Sequence, residues 1–385
     1  MKFYRLRTGR HLFSFGDGIS EVPIYGRPLR EVQFLNIQSL GHELLDVASE
    51  DQIEDENYFI FEDDLVFSQD FIKKLVRAAK TQRNLSFRFC LNSNSFNSRY
   101  CLAQSALPSE NLKFNFYYKS KSAPQIEDFY IPQKVYENRI AIPRQILASG
   151  YYSFDQTETF ICRILSPFHL MQANLAFLFL RFIGLRKLLP ESVINRWLPT
   201  HSKMFFRALK LRNKIGKNCR IHPTAILEGC ELGDHVTVGA YSVVRASKIG
   251  SGTSLEEHTL VKYSVLGKNN YVSNGNQING CMSYDDAFLI HGPYQFSIFG
   301  KAATAMAVIN CDLRLDQKSI QIETSKGRLD SQQYLLGIAY GHGAKVGGGN
   351  IILPGRIVPN YFNLPPPAFT KASFANETDL LDATH

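Results

Sequence analysis

No two of the seven cysteines (Cys90, Cys101, Cys162, Cys219, Cys230, Cys281, Cys311) form a CxxC pair or stand at a metal-binding spacing. An odd, scattered set excludes a disulfide framework and points to a reducing compartment, with the thiols packed as small interior groups. The basic start, MKFYRLRTGRHLFSFGDG, has no apolar core of signal-peptide length. The most hydrophobic segment, from Phe168 to Leu185, is broken by His169, Gln172, Asn174 and Arg181. A spanning helix needs about 20 mostly apolar residues, so this segment is expected to be buried in protein and the chain to be cytoplasmic. No basic stripe interleaved with exposed aromatics is present, which argues against nucleic acid as a partner.

What is present suits a soluble protein with sizeable cores: 385 residues, 44% hydrophobic and 20% charged. The net charge of +8 is concentrated. From Arg181 to Arg220 there are eleven Lys or Arg and one acid, Glu191, a local balance of +10, so the remainder sums to −2. After Pro199, Lys203, Arg207, Lys210, Lys214 and Lys217 recur at three- and four-residue steps opposite Met204, Ala208 and Leu211. That spacing predicts a basic amphipathic helix. It suits an anionic membrane surface at the inner face, where each cation contributes on the order of 1 kcal/mol. A solvated helix face or a surface for phosphate-bearing ligands are the alternatives.

The stretch from Ile215 to Ser283 reads IGKNCR, IHPTA, ILEGCE, LGDHVT, VGAYSV, VRASK and onward, an aliphatic residue opening every piece. Ile215-Gly216, Leu232-Gly233, Ile249-Gly250 and Leu266-Gly267 fall at an even spacing of 17 residues. Neither a helix of period 3.6 nor a flat strand of period two keeps such residues on one face. A triangular coil does, and stacked coils bury a column that no single coil could bury. The expected fold is therefore a C-terminal left-handed parallel β-helix over 215–360. An insertion is expected around 285–306, where the register is interrupted, and a polar tail over 361–385.

Residues 1–150 read as an α/β domain and 151–214 as a basic helical connector. A helix is predicted after Pro28, with Val32, Leu35, Ile37 and Leu40 roughly on one face. The strand NYFIFEDDLVF runs into Glu62, Asp63 and Asp64, followed by a helix with Ser68 as its N-cap and Phe71, Leu75 and Ala79 on its buried side. Ligands of α/β sheets sit at the carboxyl ends of strands, so Asp64 is a candidate ligand for a metal or substrate. The alternative is a solvated acid flanking a helix.

Two segments of this domain, YGRPLREVQFLNIQSLG (Tyr25 to Gly41) and YFIFEDDLVF, resemble the nucleotidyltransferase domain of sugar-1-phosphate nucleotidylyltransferases. The resemblance implies Mg²⁺ on Asp64. The chain departs from that family where a glycine-rich loop should wrap the nucleotide phosphates: it has LRTGRHLFSFGDG, and Ile19 stands where the family has a lysine. Nucleotidyl transfer is expected to be lost. From Ile309 to Arg356 the chain resembles the C-terminal part of bifunctional sugar-1-phosphate nucleotidylyltransferase/amino-sugar acetyltransferases, through Asp312-Leu313-Arg314, Asp316, Leu336-Gly337, Lys345 and Pro354-Gly355.

Acyl transfer needs a general base poised near neutral pH and donors for the developing oxyanion. The coil histidines that could serve as the base are His222, His235, His258, His291 and His342. By resemblance, His258 is the base, Asp312 replaces the family's asparagine and Lys345 holds a phosphate. Arg314 and His342 would then contact the substrate. The expectation is a transferase, with acetyl-CoA or another acyl-CoA as donor and a sugar phosphate or nucleotide sugar as acceptor. The resemblance also implies a homotrimer. The alternatives are a nucleotidyltransferase with an atypical phosphate loop and a non-catalytic, membrane-associated scaffold.

Overall fold

In the computed structural model, residues 1–82, 85–92, 94, 96–97, 112–137, 139–153, 155–187, 212–325 and 327–367 are described. The basic stretch after Pro199, up to residue 211, and most of the polar tail lie outside them, and with them most of the expected amphipathic helix; its last two cations are not helical, since Lys214 lies in the first strand of the β-helix and Lys217 in the turn after it. None of the described helices is long and apolar enough to cross a membrane.

The N-terminal part is a six-stranded mixed sheet. In chain order its strands are β1 (Lys2–Leu6), β2 (Glu43–Val47), β3 (Asn57–Glu62), β4 (Ser86–Leu91), β5 (Leu112–Ser120) and β6 (Ile126–Tyr130). Their spatial order is β2-β1-β3-β5-β4-β6, with β1 parallel to both neighbours and β5 antiparallel to both of its own. Phe3, Phe59, Phe61, Phe89 and Phe116 fill the side of the sheet that meets the helices. Against it lies α2 (Gln69–Thr81), with Phe71, Leu75 and Ala79 all fully buried. Ser68 caps α2, its hydroxyl accepting from the Phe71 N–H at 3.2 Å. In α1 (Leu29–Gln38) the buried residues are Leu29, Val32, Gln33 and Ile37, while Leu35 is exposed. The Gln33 amide is what turns that face. It donates to the Asp63 and Leu65 carbonyls and accepts from Arg5, so a polar side chain occupies the place expected of a leucine.

From residue 214 the chain winds into eight coils of a three-sided parallel β-helix. The first sides of the coils begin at 214, 231, 248, 265, 282, 298, 339 and 357 and pair in that order. Leu232, Ile249 and Leu266 stack on one inner edge, Val238, Leu255 and Val272 on the second, Val244, Val261 and Ile278 on the third. Each such buried aliphatic side chain contributes about 1.5–3 kcal/mol relative to exposure. The column is continuous, so these contributions add along the whole prism.

The expected insertion at 285–306 is not one. Met282 pairs with Val265, Leu289 with Val272 and Ala305 with Leu289, so this segment forms the ordered fifth coil and the first two sides of the sixth. The sequence signal fails because the corner between Ile290 and Tyr294 is one residue short. Tyr294 sits over Ile278, 16 residues earlier instead of 17. The true excursion follows the sixth coil: residues 311–338 leave the helix and carry a hairpin, Gln321–Thr324 against Gly327–Asp330. The helix resumes when Ala339 pairs with Ile298.

The two parts are tied by side chains. The Asn174 amide of α3 (Pro167–Lys187) accepts from the Tyr25 N–H and donates to the Pro23 carbonyl. Lys248 reaches from the third coil to the Tyr25 carbonyl and to Glu231. Asp17, in the loop after β1, accepts from the Tyr284 hydroxyl at 2.8 Å and lies 2.9 Å from His342 Nε2.

Candidate functional site

The residues singled out by sequence are not brought together in one place. His258 stands at an outer corner of the third coil, exposed, with φ of 57° and its ring stacked on Tyr241 one coil earlier. Lys345 is exposed on the second side of the seventh coil. That strand lies four rungs from the Ser254–Leu255 strand that leads into His258. At about 4.8 Å per rung the two are roughly 19 Å apart along the axis. Within one chain, therefore, His258 and Lys345 are not brought together.

Asp312 and Arg314 begin the excursion. Burial pushes the Asp312 carboxyl up, and Arg314 is paired with Asp316 on the outside of the loop. Both ring nitrogens of His342 are engaged: Nδ1 accepts from the Lys301 N–H at 2.8 Å, which leaves Nε2–H to donate to Asp17. His342 therefore joins the two parts of the chain and has no nitrogen left for a substrate.

Asp64 is fully buried at the carboxyl end of the sheet, and two arginines close over it. Its Oδ2 accepts from Arg163 Nε at 2.9 Å and from Arg10 Nη1, and the same two guanidinium groups bind Glu62 Oε2. Asp63 turns away to hold Thr8. Burial pushes the Asp64 carboxyl up to about 6 against the attraction of Arg10, and burial beside Arg10 pulls the Arg163 guanidinium down to about 10. The Mg²⁺ expected on Asp64 does not fit. A doubly charged ion about 5 Å from each guanidinium would meet a repulsion of about 7 kcal/mol per arginine at an effective dielectric constant of 20. Among the described residues no cluster of three or more His, Cys, Asp or Glu is arranged for a metal ion.

The structure draws attention to a place that sequence reasoning passed over. The third side of the β-helix is a continuous ladder from the first coil to Tyr294–Gln295 in the fifth. The next strand on that side, Ile309–Asn310, pairs forward with Ile351–Ile352 but not back with Tyr294–Gln295. At this break a cleft of about 290 Å³ opens, lined by His291, Gly292, Pro293, Ala307, Val308, Ile309 and Asn310. The shortened corner creates it, and Pro293 offers no N–H with which the ladder could be continued.

Two polar side chains in this cleft have unspent capacity. The Asn310 Oδ1 accepts from the Ser297 and Tyr340 hydroxyls, each at 3.1 Å, which fixes the orientation of the amide. Its Nδ2 is then buried with no acceptor among the described residues. Leaving such a donor unpaired costs about 1–3 kcal/mol, a cost that a ligand carbonyl or oxyanion would remove. His291 stands at the rim, exposed, in the left-handed conformation with φ of 52°. Its backbone N–H donates to Ser273 Oγ and the Gly292 N–H to Asn276 Oδ1, so the corner carrying the imidazole is anchored to the coil below. His291 can serve as a base at the rim, whereas the Asn310 amide is held toward the interior by Ser297 and Tyr340 and would have to turn outward to serve as an oxyanion donor. His291 was visible in the sequence as one coil histidine among five. The signal that separates it from the others is the shortened corner.

Three of the buried thiols are poor nucleophiles. Burial pushes Cys90, Cys230 and Cys281 each up to about 12, where thiolate is scarce at neutral pH.

Residues 214–246 match the family model described as bacterial transferase hexapeptide (six repeats). Over 60 residues the chain is 40% identical to the bifunctional protein GlmU of Acinetobacter baylyi (strain ATCC 33305 / BD413 / ADP1), a stretch that is 15% of this chain and 13% of that protein. It is 35% identical over 60 residues to the protein of the same name from Acinetobacter baumannii (strain AYE), with the same coverage. The chain thus matches only a small part of the length of these curated relatives, and carries transferase hexapeptide repeats.

Proposed function

We propose that this chain is a hexapeptide-repeat acyltransferase. Its reaction moves an acyl group from a coenzyme A thioester to an amine or hydroxyl of a sugar phosphate or nucleotide sugar, at the cleft between the fifth and sixth coils. The observation that carries the reading is the cleft at the broken ladder, lined by both His291 and Asn310, with the Asn310 Nδ2 buried and unpaired among the described residues. His291 takes the proton that the acceptor group loses as it attacks the thioester carbon. Asn310 Nδ2, turned outward, donates to the carbonyl oxygen as it becomes negative, and the thiolate departs. Nucleotidyl transfer is not performed: Arg10 and Arg163 occupy the approach to Asp64, and the loop after β1 has Arg10 where a phosphate-wrapping loop needs bare backbone.

The test is thiol release from acetyl-CoA and longer acyl-CoA thioesters, measured over a panel of amino-sugar and sugar phosphates. Turnover is expected with one acceptor class. His291→Ala should lower kcat/KM by about 10²–10⁴-fold, and Asn310→Ala by about 10²–10³-fold. His258→Ala should leave turnover within about twofold, because that ring lies outside the cleft. No thiol release across the panel would overturn the acyltransferase reading. Loss in His258→Ala with His291→Ala unaffected would keep the reaction and move the base.

A further inference from the structure

We infer that Glu62 and Asp64 of the N-terminal domain form a cation site held shut by two internal guanidinium groups, those of Arg10 and Arg163. This goes beyond the acyl-transfer reading and stands or falls independently of it.

Geometry is the first support. Glu62 Oε2 and Asp64 Oδ2 converge on the same two guanidinium groups, at the position that an ion shared by the two carboxylates would take. The place is the carboxyl end of β3, beside the loop that leaves β1, where α/β sheets receive their ligands. A second support is the state of the oxygens. Asp64 is fully buried, and its Oδ1 has no hydrogen-bond partner among the described residues. Buried polar atoms nearly always have a partner, so this oxygen keeps acceptor capacity that a cation could use. Glu62 is held in place from its other side by the Asn115 amide, at 2.6 Å.

Charge explains why the site is closed in the native chain. The two carboxylates and the two guanidinium groups cancel, which leaves only the neighbouring Asp63, bonded to Thr8, to attract a cation against two like charges that repel it. Removing either arginine leaves the pair at −1, and removing both leaves −2. The arginines differ in how firmly they are built in. Arg163 ends the strand Ile161–Arg163, which pairs with Leu65–Phe67, whereas the Arg10 side chain is nearly half exposed on the loop after β1.

The experiment uses the full chain and Mn²⁺, followed by water-proton relaxation and by the free-ion paramagnetic resonance signal. The native protein is expected to show no saturable site that depends on Asp64. Arg10→Ala/Arg163→Ala should gain one Mn²⁺ site at least about tenfold tighter than any native binding, and adding Asp64→Asn should abolish it. A native Mn²⁺ site lost in Asp64→Asn would overturn the inference, as would a folded double variant that binds no better than the native chain. Should the double variant fail to fold, Arg10→Ala decides alone: a gain removed by Asp64→Asn supports the closed site, and no gain overturns it.

Discussion

Asp64 shows how far a residue's neighbours can redirect what its sequence context suggests. An acid at the end of an apolar strand was legible, and its placement at the carboxyl end of the sheet agrees with that context. The two arginines that close over it were not, because Arg10 lies 54 residues away and Arg163 lies 99 residues away in the chain. The same cluster gives a pH prediction. An unperturbed aspartate titrates near 3.9, whereas burial raises this one to about 6 in the folded chain. The folded state therefore holds the proton more tightly than the unfolded state. The stability this group contributes is fully present below the unfolded value and is lost as pH rises through about 6. Urea unfolding of the native chain and of Asp64→Asn between pH 4 and 8 should show the native chain losing ground relative to the variant as pH rises. A native chain that instead gains on the variant would mean that the arginines, not burial, set the carboxyl's state.

At the scale of the element, the coil corners decide what could be read and what could not. The 17-residue recurrence of aliphatic-Gly pairs was legible because it answers to a steric demand that every coil repeats. A Cβ on Gly250 would overlap the Gly267 carbonyl of the next coil, and Gly216, Gly233 and Gly267 are as tightly placed against the coil that follows each of them. Gly275 is a different kind of corner glycine. Its φ is 67°, and a Cβ there would meet nothing within 4 Å. Gly250→Ala should therefore cost about 1–3 kcal/mol by forcing two coils apart. Gly275→Ala should cost about 1 kcal/mol, the conformational penalty alone. Chemical denaturation of the two variants checks the order, and equal losses would mean that the corners tolerate a methyl between coils. The fifth and sixth coils escaped notice for the complementary reason. The corner His291-Gly292-Pro293 drops one residue, and Tyr294 fills the interior where earlier coils place Val244, Val261 or Ile278. A rule built on spacing and aliphatic side chains fails there, although the winding continues. The candidate site was missed with it, since the break in regularity that hides those coils is what opens the cleft.

For the molecule as a whole, the side chains that a single chain leaves uncovered indicate how the candidate site would be completed. On the second face of the prism Tyr271 and Phe288 stack at 4.9 Å between ring centroids, and one coil on Thr304 lies over Phe288 and Met306 over Ile290. Tyr271, Phe288 and Met306 are 36%, 39% and 44% exposed, and beside the cleft Ile309 and Ile351 are 55% and 65% exposed. Large apolar groups exposed on two adjoining sides of a stacked prism form a surface that association would bury. We propose that three copies pack these sides about an axis parallel to the prism, so that each His291 cleft is walled on its open side by a neighbour. Light scattering should then give a trimer mass for the native chain. Tyr271→Glu/Phe288→Glu should yield monomers with unchanged circular dichroism, because both side chains point away from the interior column. Acyl transfer should fall together with assembly, through loss of the wall and not of His291 or Asn310. A native chain that stays monomeric would remove the threefold arrangement. A monomeric variant that retains full turnover would mean that one prism carries the whole site.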